Sequence, residues 1–359
     1  LALIKYVEDQ LYVIHDTETA GVRAILFVED SPIYASVLLP ILYRAIVLQV
    51  QAVLSEGLNE EHRLLTMRAR PKILYATSFE EAQFLFGKFE PYILGVISDV
   101  RFPHNNVMDP DAGITLLTQI EKERFDIPLL LTSSEPSNRD KAEKLPAAFI
   151  DKNSPSLLSE VQSFFIEKLG FGDFVFRMQD GREIGRAANF RTLEKLLPTI
   201  PYESFYHHWR NNDFSRWLFA RSEIHLASKW RPLTDADFGS QVEKMQQFLI
   251  DTLCARRKLR QKGVVVNFDA NDFDPDTEFL KIGKGSLGGK GRGLAFMSTL
   301  LRNNADLLAK FDQVNIFVPK TLVITTEGFD TFVEANDLKT LSKADRSDEE
   351  VSDLFQKAS

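Results

Sequence analysis

Ile25-Leu26-Phe27-Val28-Glu29-Asp30 and Tyr92-Ile93-Leu94-Gly95-Val96-Ile97-Ser98-Asp99 are the stretches that decide the fold. Each is a short apolar run that ends in carboxylates. Runs of roughly four to eight apolar residues bounded by polar ones read as strands buried on both faces. Around them the pattern alternates. A helical stretch runs from Pro32 to about Leu54 and closes at Gly57. Lys72–Ala76 is the next run, and Ser78 with Glu81 spells a capping box for the helix after it. Leu116–Ile120 sits in a third helix. Ile127–Thr132 and Ala147–Ile150 are the fourth and fifth runs. The last helix carries Ser154 as N-cap, Pro155 at its first position and Gly170 past its end. Strands alternating with helices predict a parallel sheet covered on both faces, here a five-stranded flavodoxin-like α/β domain. The segment Leu58 to Pro71 is an extra piece between the first helix and the second strand.

Composition narrows the function classes. The chain has 359 residues, 44% hydrophobic and 26% charged, enough for two or three domains. Lys plus Arg is 43 against 51 Asp plus Glu, a net charge of −8. That balance argues against general nucleic-acid or anionic-membrane binding. A single cysteine, Cys254, excludes an intrachain disulfide and a cysteine-rich zinc site, and fits a cytoplasmic setting. The apolar stretch Val37 to Leu54 is broken by Pro40, Arg44, Gln49 and Gln51, and reads as a core helix, not a membrane span.

In a doubly wound sheet of order 2-1-3-4-5, the first and third strands are neighbours, and ligands bind at the carboxyl ends of strands. Glu29, Asp30 and Asp99 are therefore expected side by side. Converging carboxylates repel one another, and a hard cation such as Mg2+ relieves that. The same edge supplies Ser133 and Lys152. A carboxylate nucleophile, a metal, a hydroxyl and an ammonium make a phosphoryl-transfer set.

These segments resemble the receiver domain of two-component response regulators, over roughly residues 25–170. The resemblance implies that Glu29 and Asp30 are the metal-binding pair and Asp99 the phospho-acceptor. The backbone carbonyl of Arg101 would be a further Mg2+ ligand. Ser133, or Thr132 one residue earlier, takes the place of the switch hydroxyl. Lys152 faces the phosphate and Phe149 is the switch aromatic. The implied partner is an upstream phosphodonor such as a histidine kinase. The chain departs from the pattern by an insertion between Asp99 and Gly113 and by Asn153-Ser154 ahead of Pro155. A pseudo-receiver kept as a docking or dimerisation scaffold, for instance in a homodimer, is the alternative.

A second motif lies at 283–293, Gly-Lys-Gly-Ser-Leu-Gly-Gly-Lys-Gly-Arg-Gly, between the strand-like Phe279–Ile282 and the helical Leu294–Leu301. Backbone N–H groups of such a loop can cradle phosphate. It fails the Walker A pattern, because position 284 is Lys and position 291 is Gly. Gly283, Gly285 and Gly288 satisfy the dinucleotide G-x-G-x-x-G. The next strand, read at Asn315–Val318, ends in Pro319-Lys320 and supplies no acid for a ribose. Ser286 to Ala295, with Val318-Pro319 through Glu327, Phe329 and Phe332, instead resembles the opening of the ATP-grasp nucleotide-binding domain of phosphoenolpyruvate synthase and pyruvate phosphate dikinase. That resemblance implies ATP near Gly288, Gly289, Lys290, Gly291 and Arg292, with Lys290 touching the nucleotide. The family's phosphorylated histidine, later metal-binding acids and pyruvate-binding barrel have no counterpart here. The segment is thus expected to be catalytically incomplete, part of a longer protein whose downstream domains it would regulate.

The expected organisation is a helix and linker over 1–24, a receiver-like domain over 25–172, a hairpin and helical connector over 173–262, and a partial ATP-grasp domain over 263–359. The first helix is read as belonging to something upstream. In the connector, Phe174–Met178 and Arg182–Ala187 around Asp180-Gly181 predict a hairpin. Trp217–Lys229 and Gln241–Lys262 read as helices, and Asn211 to Asp213 as the junction of two more. Adjacent His207 and His208 would point apart on a helix, so packing, not metal binding, is their expected role.

Overall fold

The computed structural model describes residues 2–54, 69–261, 264–268, 270, 277–304, 310–311, 313–314, 316–339 and 347–358. Most of the extra piece at 58–71 lies outside these residues, as does Asn315. The chain divides into two compact units, Leu1–Gly57 with Glu61–Cys254, and Ala255–Ser359.

In the first unit, β1 (Ala24–Val28), β2 (Lys72–Ala76), β3 (Ile93–Asp99), β6 (Leu129–Ser133) and β7 (Ala147–Asp151) form one parallel sheet of order β2-β1-β3-β6-β7. β4 (Phe102–His104) and β5 (Val107–Asp109) form a separate antiparallel hairpin in the stretch between Asp99 and Gly113. Its two-residue turn, Asn105-Asn106, has both residues at positive φ, as a type I′ turn requires.

Alternation along the strands sends side chains to two cores. Ile25, Phe27, Ile97 and Leu130 join one cluster with Leu38, Leu42 and Ile46 of helix Pro32–Leu54 and with Val161 and Phe165 of helix Leu157–Glu167. Leu26, Val28, Val96 and Leu131 join the other with Phe86 of helix Phe79–Phe89 and Leu116 of helix Ala112–Glu123. Pro32–Gln51 has the length and apolarity to cross a membrane, but here it covers one face of the sheet, as its interrupting polar residues predict.

The first helix, Ala2–Ala20, is not a foreign element. It packs on β2 through Asp9, which is fully buried. Asp9 accepts from Arg70 Nη2 at 2.7 Å, Tyr43 Oη at 2.9 Å and the Ile73 N–H at 2.9 Å. Such a partner set is what lets a carboxylate lie in a core.

The connector shares the first core. β8 (Phe174–Arg177) and β9 (Glu183–Ala187) make the expected hairpin. Phe174 stacks on Phe214 at 4.7 Å and meets Trp217 edge-on at 6.1 Å. Three details differ from expectation. Trp217–Lys229 is two helices, Asp213–Ala220 and Ile224–Trp230, because Ser222 takes a left-handed φ of 60° between them. The capping box at Ser78 is half made: Ser78 Oγ accepts from Glu81 N, but the Glu81 carboxylate takes the N–H of Thr77 instead. The last helix of the sheet domain starts at Leu157, after Ser156, and Ser154 Oγ accepts from the Ser156 N–H ahead of it.

In the second unit, β10 (Val266–Asn267), β11 (Phe279–Ile282) and β12 (Thr321–Ile324) form a parallel sheet of order β10-β11-β12. Two sequence expectations move. The helix after the glycine run starts at Gly288, not Leu294. The following strand is Thr321–Ile324, and residues 316–318 are not strand. Pro319 cannot donate to a ladder, and pairing with β11 begins only beyond it.

Candidate functional site

The carboxyl ends of β1, β3, β6 and β7 bring Glu29, Asp30, Asp99, Ser133 and Lys152 to one edge of the sheet. Val28 pairs with Ser98 and Asp99 with Thr132, so adjacency follows from the parallel register. One oxygen from each of Glu29, Asp30 and Asp99 lies within 4.8 Å of the other two. Lys152 Nζ lies 2.5 Å from Glu29 Oε2 and 2.8 Å from Asp99 Oδ2. The other oxygens are held by backbone: Val100 N–H donates to Asp99 Oδ1 at 2.8 Å and Ser31 N–H to Glu29 Oε1 at 3.2 Å.

Burial sets the electrostatics. It pushes the Glu29 carboxyl up to about 7, with Lys152 pulling down and Asp99 adding to the rise. Burial also raises Asp99, against the same lysine. One ammonium does not balance three convergent carboxylates, of which Glu29 is fully buried and Asp30 and Asp99 half-buried. Glu29 Oε2 is buried, and Lys152 is its partner among the described residues. An all-oxygen donor set of three convergent carboxylates fits a hard divalent cation.

The remaining sequence-predicted residues take distinct places. Ser133 is buried, and its Oγ accepts from Asn138 Nδ2 at 3.0 Å and from the Glu135 N–H at 3.1 Å. Thr132 Oγ1 donates to the Ser98 carbonyl at 3.3 Å, which ties β6 to β3. Phe149 is half-buried on β7, with the Arg139 guanidinium 4.8 Å from its ring centre. Arg101 is exposed just beyond β3.

Three neighbours were not singled out from the sequence. Tyr34 has its ring 4.5 Å from Lys152 Nζ. Tyr75 donates to the Glu29 carbonyl at 2.8 Å. A Cβ on Gly113 would lie 1.9 Å from the Asp99 carbonyl oxygen, so only glycine lets the next helix approach β3 there. Tyr75 had a legible signal, an aromatic with a polar tip near the end of the strand beside β1.

The glycine run is tied to the end of β12. Ser286 N–H donates to Thr326 Oγ1 at 3.0 Å, and the Lys284 N–H donates to the Glu327 carboxylate. A Cβ at Gly283 or Gly285 would strike Thr325 or Thr326 and Glu327. Gly291 is buried against Leu287 and Val323, so it serves packing, not an open cradle. Gly288 and Gly289 open onto free space, and Lys290 and Arg292 are exposed. With the strand at Thr321–Ile324, an acid does follow it, Glu327, which removes one objection to the dinucleotide motif.

His207 and His208 do not form a pair of ligands. His208 Nε2 accepts from the Arg177 N–H at 2.8 Å and Nδ1 lies 2.6 Å from Asp213 Oδ2, so both ring nitrogens are engaged. Compared with known proteins, the chain matches no family model and no curated protein.

Proposed function

We propose that the first unit is a phosphorylatable receiver-type module, with Asp99 as acceptor. The observation that carries this reading is the convergence of three carboxylates and a buried lysine at the carboxyl edge of a 2-1-3-4-5 parallel sheet. An Asp99 carboxylate oxygen attacks the phosphorus of a phosphodonor. The new O–P bond makes an acyl phosphate, and the donor leaves with the electrons of its own bond to phosphorus. Lys152, released from Asp99 Oδ2, is placed to hold a phosphoryl oxygen. Glu29, Asp30 and Asp99 would hold Mg2+, which would supply charge neutralisation for the phosphoryl oxygens. Ser133 would have to exchange its present partners to meet the phosphoryl group, which suits a switch hydroxyl, and Phe149 is its aromatic companion.

The second unit is proposed as the start of an ATP-grasp nucleotide-binding domain of the phosphoenolpyruvate synthase and pyruvate phosphate dikinase kind, with Gly288, Gly289, Lys290 and Arg292 toward ATP. The wider reading is a cytoplasmic signalling module that regulates such a phosphotransferase. Glu327 after β12 keeps a dinucleotide reading as the second one, and titration with ATP and NAD separately distinguishes them.

The deciding experiment is intact mass after incubation with acetyl phosphate and Mg2+, with Asp99→Asn as control. A single phosphoryl addition, absent from the control and without Mg2+, is the expected result. No addition to a folded protein would overturn the proposal in favour of a docking scaffold.

A further inference from the structure

At the opposite edge of the sheet lies a cleft of about 460 Å³ that the phosphoryl-transfer reading does not use. Arg23 enters it just before β1, Glu90 and Pro91 just before β3, and Arg124 to Asp126 just before β6. The connector supplies Phe219, Ser228 and Arg231. A strand of about six residues separates this edge from Asp99, about 20 Å.

Its charges are unevenly matched. Asp126 is buried and already saturated: Arg231 Nη2 donates to it at 2.9 Å, and Arg124 Nε at 3.1 Å. Glu90 pairs with Arg124. Glu123, the third carboxylate of the lining, is exposed. Arg23 is different. It is 5% exposed, and its hydrogen bonds go to the Pro91 carbonyl and, at 3.4 Å, to Ser228 Oγ. Its guanidinium lies 3.3 Å from the Phe219 ring centre, and among the described residues its Nε has no hydrogen-bond partner. Nε of Arg231 is likewise buried and unsatisfied. Burial, and then the Arg231 charge, lowers Arg23 to about 9, so it stays charged at neutral pH. A buried cation without a counter-ion is costly unless an anion joins it. At the rim, Phe125 is 66% exposed, a flat apolar ring beside the cations.

We propose that this cleft binds a phosphorylated small molecule of nucleotide size, with Arg23 and Arg231 toward the phosphate and Phe125 against an aromatic base. Guanidinium forks match phosphate oxygens in pairs, and the volume suits a ligand of that size. Since the cleft is lined by both the sheet and the connector, an occupant would brace one against the other.

Calorimetric titration of the full chain with inorganic pyrophosphate and with ADP, at low salt, tests this. Binding of both is expected. Arg23→Gln and Arg231→Gln should weaken both at least tenfold. Phe125→Ala, an exposed change that leaves the core intact, should weaken ADP but not pyrophosphate. The titrations are repeated in a Lys290→Ala background, which weakens the glycine run proposed to face ATP, and the effects of the Arg23, Arg231 and Phe125 substitutions should persist there. No binding of either probe, or binding lost in Lys290→Ala and kept in Arg23→Gln and Phe125→Ala, would overturn the proposal. Should Arg23→Gln fail to fold, Phe125→Ala still decides: equal ADP affinity in that variant counts against the cleft.

Discussion

Lys152 and Glu29 form an ion pair in which neither side chain reaches solvent: ammonium and carboxylate are 2.5 Å apart, with side chains 2% and 0% exposed. Removing one partner of such a pair costs about 3–5 kcal/mol, because the other is left charged and buried. Glu29 has an escape, since it can take a proton. Lys152→Met should therefore cost about that much at pH 8 and clearly less at pH 6, where the acid is neutral. Urea unfolding at both values checks this, and equal losses would contradict it.

The raised Glu29 pKa also has a direction in pH. Its ordinary value is 4.5 and its folded value about 7. Between them the folded chain holds a proton that the unfolded chain has lost. The Glu29 contribution to stability thus falls as pH rises through that window and is constant above it. A cation must displace the same proton. Mg2+ affinity should rise by up to about tenfold per pH unit below pH 7 and level off above it. Calorimetry at pH 6, 7 and 8 reads this, and a flat profile would show that Glu29 is not a ligand.

Gly113 gives a steric test of the same edge. Gly113→Ala would place a Cβ 1.9 Å from the Asp99 carbonyl oxygen. It should cost about 1–3 kcal/mol by overpacking and slow phosphorylation of Asp99. Gly87 in helix Phe79–Phe89 has nothing within 4 Å, so Gly87→Ala should be neutral or gain up to about 1 kcal/mol. Thermal unfolding of the two variants should move in these different directions.

In the connector, His208 is a positioning group for backbone. His208→Ala leaves the Arg177 N–H without its partner and should cost about 1–3 kcal/mol, beyond the loss of ring packing. His207 is half-buried beside it, with no such bond, and His207→Ala should cost less. Adding Zn2+ should leave the unfolding midpoint unchanged, because both His208 nitrogens are occupied. A Zn2+-dependent rise that His208→Ala removes would refute this.

Much of the first unit is legible in the chain itself. Apolar runs flanked by helices specify buried parallel strands, and carboxylates at the ends of Ile25–Val28 and Ile93–Ser98 mark the edge where the acids converge. The order 2-1-3-4-5 expected of a flavodoxin-like doubly wound sheet agrees with the sheet order β2-β1-β3-β6-β7. Local punctuation was less legible. Ser154 and Ser156 are both able to cap a helix, and only the turn between them selects one. The strand expected at Asn315–Val318 lies instead at Thr321–Ile324, because both stretches are apolar and pairing with β11 chooses between them.

Residue order alone thus determined the alternation of elements and the chemistry carried at strand ends, because both depend on short-range periodicity and residue type. Tertiary structure decided what lies across long sequence gaps. It seats Asp9 in the core beside Arg70, and the hairpin and helices of 174–253 in the same hydrophobic cluster as one face of the sheet. It also sets Arg23 against Phe219 with, among the described residues, no carboxylate of its own. Those contacts depend on burial and on the pairing of charges far apart in the chain, which no local pattern encodes.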